Sequence, residues 1–424
     1  MAGEVQPHQL VTMNPTGTPS RGWRLPRHEL ALVAAIVAVF VATGWLDPNH
    51  TYFANWAESR DIILRNASLL GIIALGAAVV IIAGGIDLSA GSMVAFSATT
   101  CALLLAVFSN VDDRRLVSVS GLGIAVAVGG ALLSGLLVGT LHTWLITAIR
   151  LPPFVATLAT LVGLRSFARA MCLFVTKERW GTESQQINVN TPFFAWIKEH
   201  NVWLSTGTFL VLAFLTWVVL TRTVLGRHLY ALGGNERAAR LSGIRTENVK
   251  WFAYCFGSLT AALAGIFLMA DSSVAQPGNL ARGYELNAIA AAVVGGCSLQ
   301  GGVGTVTGTV LGAVFLRLVI DAVSKLIKAS ADVYEGMIVG IIVALAVTFT
   351  QVGQFAKAGH ALFPGARGLA AIPTIAVFAG LLAMMAAANV DAFGGRTPLF
   401  GAVVGGGVFL ALAAVRWAQG RRAA

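Results

Sequence analysis

The stretch whose residue types and spacing best suit recognition runs from Arg222 to Lys250, RTVLGRHLYALGGNERAARLSGIRTENVK, a basic hydrophilic loop between two long apolar runs. Gly233 and Gly234 break the chain there, and Asn235 can cap a helix by accepting a hydrogen bond from an orphan N–H. Glu236 sits well at the positive end of that helix's dipole. Good helix formers fill 236–241, including Ala239 and Arg240, and Gly243 is placed to stop them. The stretch has no nucleophile–base pair, so docking onto another protein suits it better than covalent chemistry. The plainer alternative is a solvated positive loop that only fixes topology.

Two further stretches share a spacing. Gly84-Gly85-Ile86-Asp87-Leu88-Ser89-Ala90-Gly91 and Gly295-Gly296-Cys297-Ser298-Leu299-Gln300-Gly301-Gly302 both read G-G-x-x-L-x-x-G, each ending one apolar run and opening another. Glycine pairs allow sharp turns and close backbone approach. At membrane depth such turns persist only where protein or a water-filled cavity satisfies the freed backbone groups, and broken helices in matching halves point to a transport pathway. Gly84, Gly85, Asp87, Ser89, Gly295, Gly296 and Ser298 are the candidate pathway residues. Asp87 is either a pathway acid or the N-cap of the helix after it. Arg165 and Arg169 share a helix face and either approach the pathway or snorkel to the outer interface. Arg317 and Asp321, also four apart, are expected to neutralise each other.

Composition sets the class. The chain has 424 residues, 56% hydrophobic and 11% charged, with mean hydropathy +0.77. A soluble domain carries about 25% charged residues, so this is an integral membrane protein, embedded in a lipid bilayer. The net charge of +10 does not mark a nucleic-acid binder, because Lys and Arg are spread over several loops and form no single stripe. Cys101, Cys172, Cys255 and Cys297 lie in or beside apolar runs without CxxC spacing, which argues against a disulfide framework or a metal site. There is no GxxxxGK[ST] phosphate loop, no HExxH and no GxSxG. An enzyme is not expected, nor a cofactor.

A bilayer-spanning helix needs about 20 apolar residues. Apolar runs fall at 30–46, 66–83, 88–108, 120–148, 154–175, 203–221, 251–270, 286–299, 304–324, 335–351, 369–388 and 398–416, the run at 286–299 being short enough for a half-helix. The fold class expected is all-α and polytopic. Trp45, Trp144, Trp203, Trp217, Trp251 and Trp417 lie near run ends, as interfacial anchors should. With the N-terminus inside, the cytoplasmic segments collect Arg and Lys while most acids fall outside, Lys325 and Lys328 excepted. That asymmetry puts both termini and the 222–250 loop in the cytoplasm. The segment 176–202, with Phe193, Phe194 and Trp196, reads as an extracytoplasmic cap or an ordinary long loop.

These residues resemble a known family. IIAGGIDLSAGSMVAFSA (81–98), LPPFVATLAT followed by Arg165, ALGGNERAARLSGI (231–244) and QPGNLARGYELNAIAAAVVGGCSLQGGVGTVTGT (276–309) look like the permease subunits of bacterial ABC importers for monosaccharides of the ribose/xylose type. The broader family includes branched-chain amino-acid permeases, and the likeness covers roughly 30–351. It implies about ten family-type transmembrane helices with a possible internal repeat, in the inner membrane. It also implies ABC ATPase subunits on the cytoplasmic face, a periplasmic substrate-binding protein and a second permease copy as homodimer or pseudo-dimer. By this resemblance 222–250 is the ATPase-coupling loop, with Asn235, Glu236, Ala239, Arg240 and Gly243 matching its motif beside Gly233 and Gly234, and the glycine turns line the pore. The division expected is a disordered cytoplasmic tail (1–28), a permease domain (29–351) and an extension with two further spans (352–424). The departure is that extension, because the family usually ends near Thr350. An ATP-independent secondary transporter, a non-transporting scaffold, and an importer for branched-chain amino acids or nucleosides remain the rival readings.

Overall fold

The computed structural model describes residues 27–47, 49–110, 114–326, 335–342, 365–388 and 397–423, with isolated residues 344 and 348. In hydrocarbon every backbone N–H and C=O must be satisfied within the chain, which leaves helices as the economical solution for long apolar runs. The described elements are helices α1 (Arg27–Leu46), α2 (Thr51–Ala54), α3 (Trp56–Ile82), α4 (Ala90–Phe108), α5 (Gly121–Thr147), α6 (Pro153–Trp180), strand β1 (Ile187–Asn188), α7 (Pro192–Glu199), α8 (Asn201–Arg222), α9 (Val224–Gly234), α10 (Glu236–Leu241), α11 (Thr246–Ser272), strand β2 (Val274–Ala275), α12 (Tyr284–Val294), α13 (Val306–Leu326), α14 (335–342), α15 (Gly365–Ala388) and α16 (Thr397–Ala423). Ten of the described helices are long and apolar enough to cross a membrane.

The chain is therefore an all-α, multi-pass membrane protein. Residues 1–26, most of the expected tail, lie outside the described residues, as do 349–364 at the start of the expected extension. Helix α1 already begins at Arg27, within the segment read as tail.

Helix α3 is the central post. From Ala67 to Ile82 every side chain is buried, against α8, α11, α12 and α13. Helix α11 packs on α3, α4 and α5, and the approach depends on small residues. A β-carbon at Gly76 of α3 would strike the Thr260 hydroxyl and lie 2.9 Å from the Gly257 α-carbon. Apolar side chains gain little from leaving lipid for a helix interface, so van der Waals packing at such contacts supplies association energy. Helices α1, α6 and α8 leave most of their span surface exposed.

The segment 286–299 is a short helix and not a span: α12 covers eleven residues, about 16 Å by helix rise. The residues before it descend as irregular backbone from β2, which pairs antiparallel with β1 (Ile187 opposite Ala275). The 176–202 segment holds β1 and α7, whose first turn is capped by Thr191 accepting from the Phe194 N–H at 3.3 Å. Phe194 is core, whereas Phe193 and Trp196 are exposed. The hydrogen bond from Lys177 at 2.8 Å, with its charge, holds the Glu183 carboxyl below its ordinary value.

One expected pairing is corrected. Arg317 and Asp321 do not neutralise each other. The Arg317 guanidinium donates to Glu335 at 3.2 Å and lies 4.7 Å from the centre of the Tyr284 ring. Asp321 accepts from the Tyr52 hydroxyl at 2.7 Å and faces Lys325 at 3.9 Å. Spacing of i,i+4 allows contact but does not compel it: here Glu335 takes Arg317, while Tyr52 and Lys325 take Asp321.

Helices α15 and α16 pack on each other through Gly380, Gly401 and Gly405, where a β-carbon on Gly380 would lie 2.8 Å from the Gly401 carbonyl oxygen.

Candidate functional site

The basic loop is built from two helices. Thr223 caps α9 by accepting from the Gly226 N–H at 3.1 Å. Asn235 caps α10 by accepting from the Ala238 N–H at 3.0 Å. After α10, Gly243 takes φ +83, and the bonds Gly243 N to Arg240 O and Ile244 N to Ala239 O close a left-handed helix end. The short helix and both its ends follow the sequence reading. Helix α9 does not appear there, although Thr223 three residues before Gly226 was its signal.

Ion pairs tie α10 to the first turn of α11. Glu236 accepts from Lys250 at 2.7 Å and faces Arg240 at 3.5 Å, and Arg240 pairs with Glu247 at 2.9 Å. The pairs are half exposed, worth about 0–1 kcal/mol each, so they orient the helix more than they stabilise it. Ala239 is the buried residue of α10.

The two glycine turns are the same device. After α3, Gly84 N bonds Ile81 O and Gly85 N bonds Val80 O, with φ +80 at Gly84. After α12, Gly296 N bonds Val293 O and Cys297 N bonds Ala292 O, with φ +97 at Gly296. Both are paired 5→2 and 6→1 helix ends with glycine at the left-handed position. Structure thus aligns Gly84 with Gly296, one residue off the sequence alignment of Gly84 with Gly295.

Both turns meet α9. A β-carbon on Gly84 would lie 3.3 Å from the Gly233 α-carbon, and one on Gly301 would lie 2.8 Å from the Gly84 α-carbon and 2.7 Å from the Gly233 carbonyl oxygen. A methyl on Gly233 would strike the Ile82 carbonyl oxygen. The Gly302 N–H donates to that carbonyl at 2.9 Å, and the Tyr230 hydroxyl of α9 donates to the Gly304 carbonyl at 2.8 Å. Three backbones cross at van der Waals distance, which only glycine permits. On its far side the second turn is held by α1: His28 bonds the Val294 carbonyl at 3.0 Å and Thr305 donates to Glu29 at 2.9 Å.

A cavity of about 1000 Å³ lies against this junction, lined among others by Gly84, Gly85, Gly233, Asn235, Arg150 and Tyr254. Of the expected pathway residues, Gly84 and Gly85 line it. Asp87 and Ser89 are buried. The Asp87 carboxylate accepts from the Ser89 N–H at 2.8 Å and its hydroxyl at 2.6 Å. It closes the turn and is not the N-cap residue of α4, which is Ser89. Gly295, Gly296 and Ser298 are away from the cavity: Gly295 packs on Gly308 of α13, Gly296 on His28, and the Ser298 hydroxyl accepts from Gln300 N at 3.3 Å. Gln300 is the residue of the second turn at the cavity.

Such a chain, spanning a membrane many times with a basic helical loop locked to two broken-helix turns, matches known proteins. Residues 59–348 match the family described as branched-chain amino acid transport system / permease component. The chain belongs to this family. The ribose import permease protein RbsC of Escherichia coli (strain K12) is 32% identical to it over 339 residues, 77% of this chain and 94% of the relative. The autoinducer 2 import system permease protein LsrC of Yersinia pestis is 34% identical over 321 residues, 74% and 84% of the two chains. No solved structure matches. As a permease of this family the chain moves solute and is not an enzyme. The family match ends at 348, so α15 and α16 lie beyond it.

Farther along the membrane depth, Arg165 resolves a question its spacing left open. It does not snorkel: its guanidinium donates to the carbonyls of Pro277 at 2.9 Å and Leu280 at 3.0 Å, and reaches that of Ala281 at 3.5 Å. These carbonyls belong to the irregular segment leading into α12, and a planar fork of five N–H groups suits them. Glu285 opens α12, with Oε2 enclosed beside Gly91 of α4.

Proposed function

We propose that this chain is the membrane-spanning subunit of an ATP-driven importer that carries a monosaccharide across the bacterial inner membrane. Separate ATPase subunits engage α9 and α10 from the cytoplasm, where both termini lie. A periplasmic binding protein delivers solute at the opposite end, and a second permease copy completes the pathway. The observation that carries this reading is the contact of Gly233 with Gly84 and Gly301. A push on α10, passed to α9, reaches both broken helices at once, so one docking event can switch the pathway between its two faces. The ion pairs of Glu236 with Lys250 and Arg240 with Glu247 support transmission by making α10 and the start of α11 move together. Sugar as solute is supported by the ribose named for the Escherichia coli relative.

The family description favours a second reading, an importer for branched-chain amino acids. Mild-detergent purification from native membranes, with mass spectrometry of what accompanies the chain, tests the first. An ATPase that co-purifies, and is lost when 233–243 is replaced by a Gly/Ser linker, is the expected result. A chain that comes out alone, unaffected by the replacement, favours an ATP-independent carrier. A co-purifying binding protein that takes leucine and no sugar favours the amino-acid reading.

A further inference from the structure

Most exposed surface at mid-height of this bundle is apolar, as lipid requires. On α8 it is Leu210, Val211, Phe214 and Leu215. Helix α6 differs. Its most apolar window has a mean hydropathy of 1.6, the lowest of the ten spans, and it exposes Ser166 and Arg169, three residues apart on one face. Arg169 stands about 24 Å along the helix from Pro153 and about 16 Å from Trp180, inside the apolar run 154–175. Beside it runs the segment between β2 and α12. The Arg169 guanidinium lies against Gly278, 3.5 Å from its carbonyl oxygen, and the neighbouring Asn279 and Arg282 side chains are exposed too. Among the described residues neither Arg169 nor Arg282 has a carboxylate within ion-pair distance. Charges within a membrane-spanning segment face water, protein or a solute in preference to lipid.

We infer that the transported solute meets this chain on the face formed by Ser166, Arg169, Asn279 and Arg282. The inference rests on the transport reading and names where, within it, the solute is held. Arg165 is the positioning residue: its bonds to the carbonyls of Pro277 and Leu280, and its reach to that of Ala281, hold Asn279 between them and Arg282 directly after them. Gly91 serves the same end, because a side chain there would strike the Glu285 carboxylate and the Ala281 carbonyl. The face is rich in N–H donors. It therefore takes a solute that presents several oxygen acceptors over its surface, a polyhydroxylated molecule, in preference to a hydrocarbon side chain with one polar end.

The four native cysteines are buried, so thiol labelling has a quiet background. Ser166→Cys and Asn279→Cys are introduced singly, with Leu210→Cys on the apolar face of α8 as control. Native membranes carrying the whole transporter are treated with a negatively charged methanethiosulfonate reagent, with and without millimolar ribose or leucine. Labelling at 166 and 279 but not at 210, slowed by ribose and not by leucine, is expected. In uptake assays Arg169→Ala raises the KM for ribose about tenfold, the loss of a charge-assisted hydrogen bond. No labelling at 166 and 279 in a chain that still transports overturns the inference, and so does labelling that no polyhydroxylated solute slows. Slowing by leucine alone overturns the solute class. The transport reading fails separately, if wild-type membranes show no ATP-dependent uptake, because accessibility and protection at 166 and 279 do not depend on the energy source.

Discussion

The backbone N–H of Gly302 donates to the carbonyl oxygen of Ile82 over 2.9 Å, so the turn after α12 is bonded to the last residue of α3. Gly233 of α9 packs on that same carbonyl. Two interrupted helices and α9 thus share one backbone oxygen. Movement of any one of the three displaces the other two, because no side chain intervenes to absorb it.

Removing the cap of α10 loosens the helix proposed to dock the ATPase. Asn235→Ala removes the acceptor for the Ala238 N–H and costs about 1 kcal/mol of local helix stability. A six-residue helix has little to offset that loss. The expected outcome is faster amide exchange confined to 236–241 and weaker retention of the ATPase, with the membrane-embedded helices unchanged.

Glu236→Arg acts on charge. It removes the acceptor for Lys250 and places a third cation beside Lys250 and Arg240. The pairs are half exposed, so stability changes by less than about 1 kcal/mol. Membrane insertion, read by expression level and detergent stability, stays at the wild-type level while ATP-driven uptake falls.

Gly84→Ala places a β-carbon at φ +80, where an L-residue is strained by about 1–2 kcal/mol, and 3.3 Å from the Gly233 α-carbon. Gly181 has a similar φ of +64, yet no atom lies within 4 Å of its β-carbon position. Gly181→Ala therefore carries the backbone strain alone. Uptake that falls further in the first variant than in the second, at matched expression, measures the crowding.

Arg165→Lys keeps the charge and loses the fork. One ammonium cannot replace the planar guanidinium that spans the carbonyls of 277, 280 and 281. The Ala281 carbonyl keeps the Tyr284 N–H, so the carbonyls of Pro277 and Leu280 are the ones exposed to loss, at about 1–3 kcal/mol for each that stays buried without a donor. Melting of the purified complex is expected several degrees lower, with faster proteolysis in 276–283.

Local signals carried what sequence could read. Asn235 before good helix formers and Gly243 after them specified α10, because capping and left-handed helix ends depend on residues within one turn. The glycine pairs marked both broken helices, but their register was off by one. Gly84 and Gly296 are equivalent by φ and hydrogen bonding, and the G-G-x-x-L-x-x-G match pairs Gly84 with Gly295 instead. A motif counts positions, whereas the helix end is set by which glycine takes the left-handed φ, here Gly296 and not Gly295. The convergence of Gly84, Gly233 and Gly301 was illegible, since nothing local to one glycine says which distant backbone it admits. The same holds for Arg317, drawn to Glu335, and for Arg165, whose acceptors are carbonyls more than a hundred residues away.

The most direct test compares Gly233→Ala with Gly234→Ala in proteoliposomes holding the assembled transporter, as solute moved per ATP hydrolysed. A methyl on Gly233 strikes the Ile82 carbonyl and lies 2.5 Å from the Gly302 nitrogen, whereas one on Gly234 has no neighbour within 4 Å. The neighbouring substitution controls for helix propensity and for assembly with the ATPase. Uptake per ATP that collapses in Gly233→Ala and stays at the wild-type ratio in Gly234→Ala is the predicted result. A wild-type ratio in Gly233→Ala, in a complex that assembles normally, would contradict the claim that this junction couples the docking helix to the pathway.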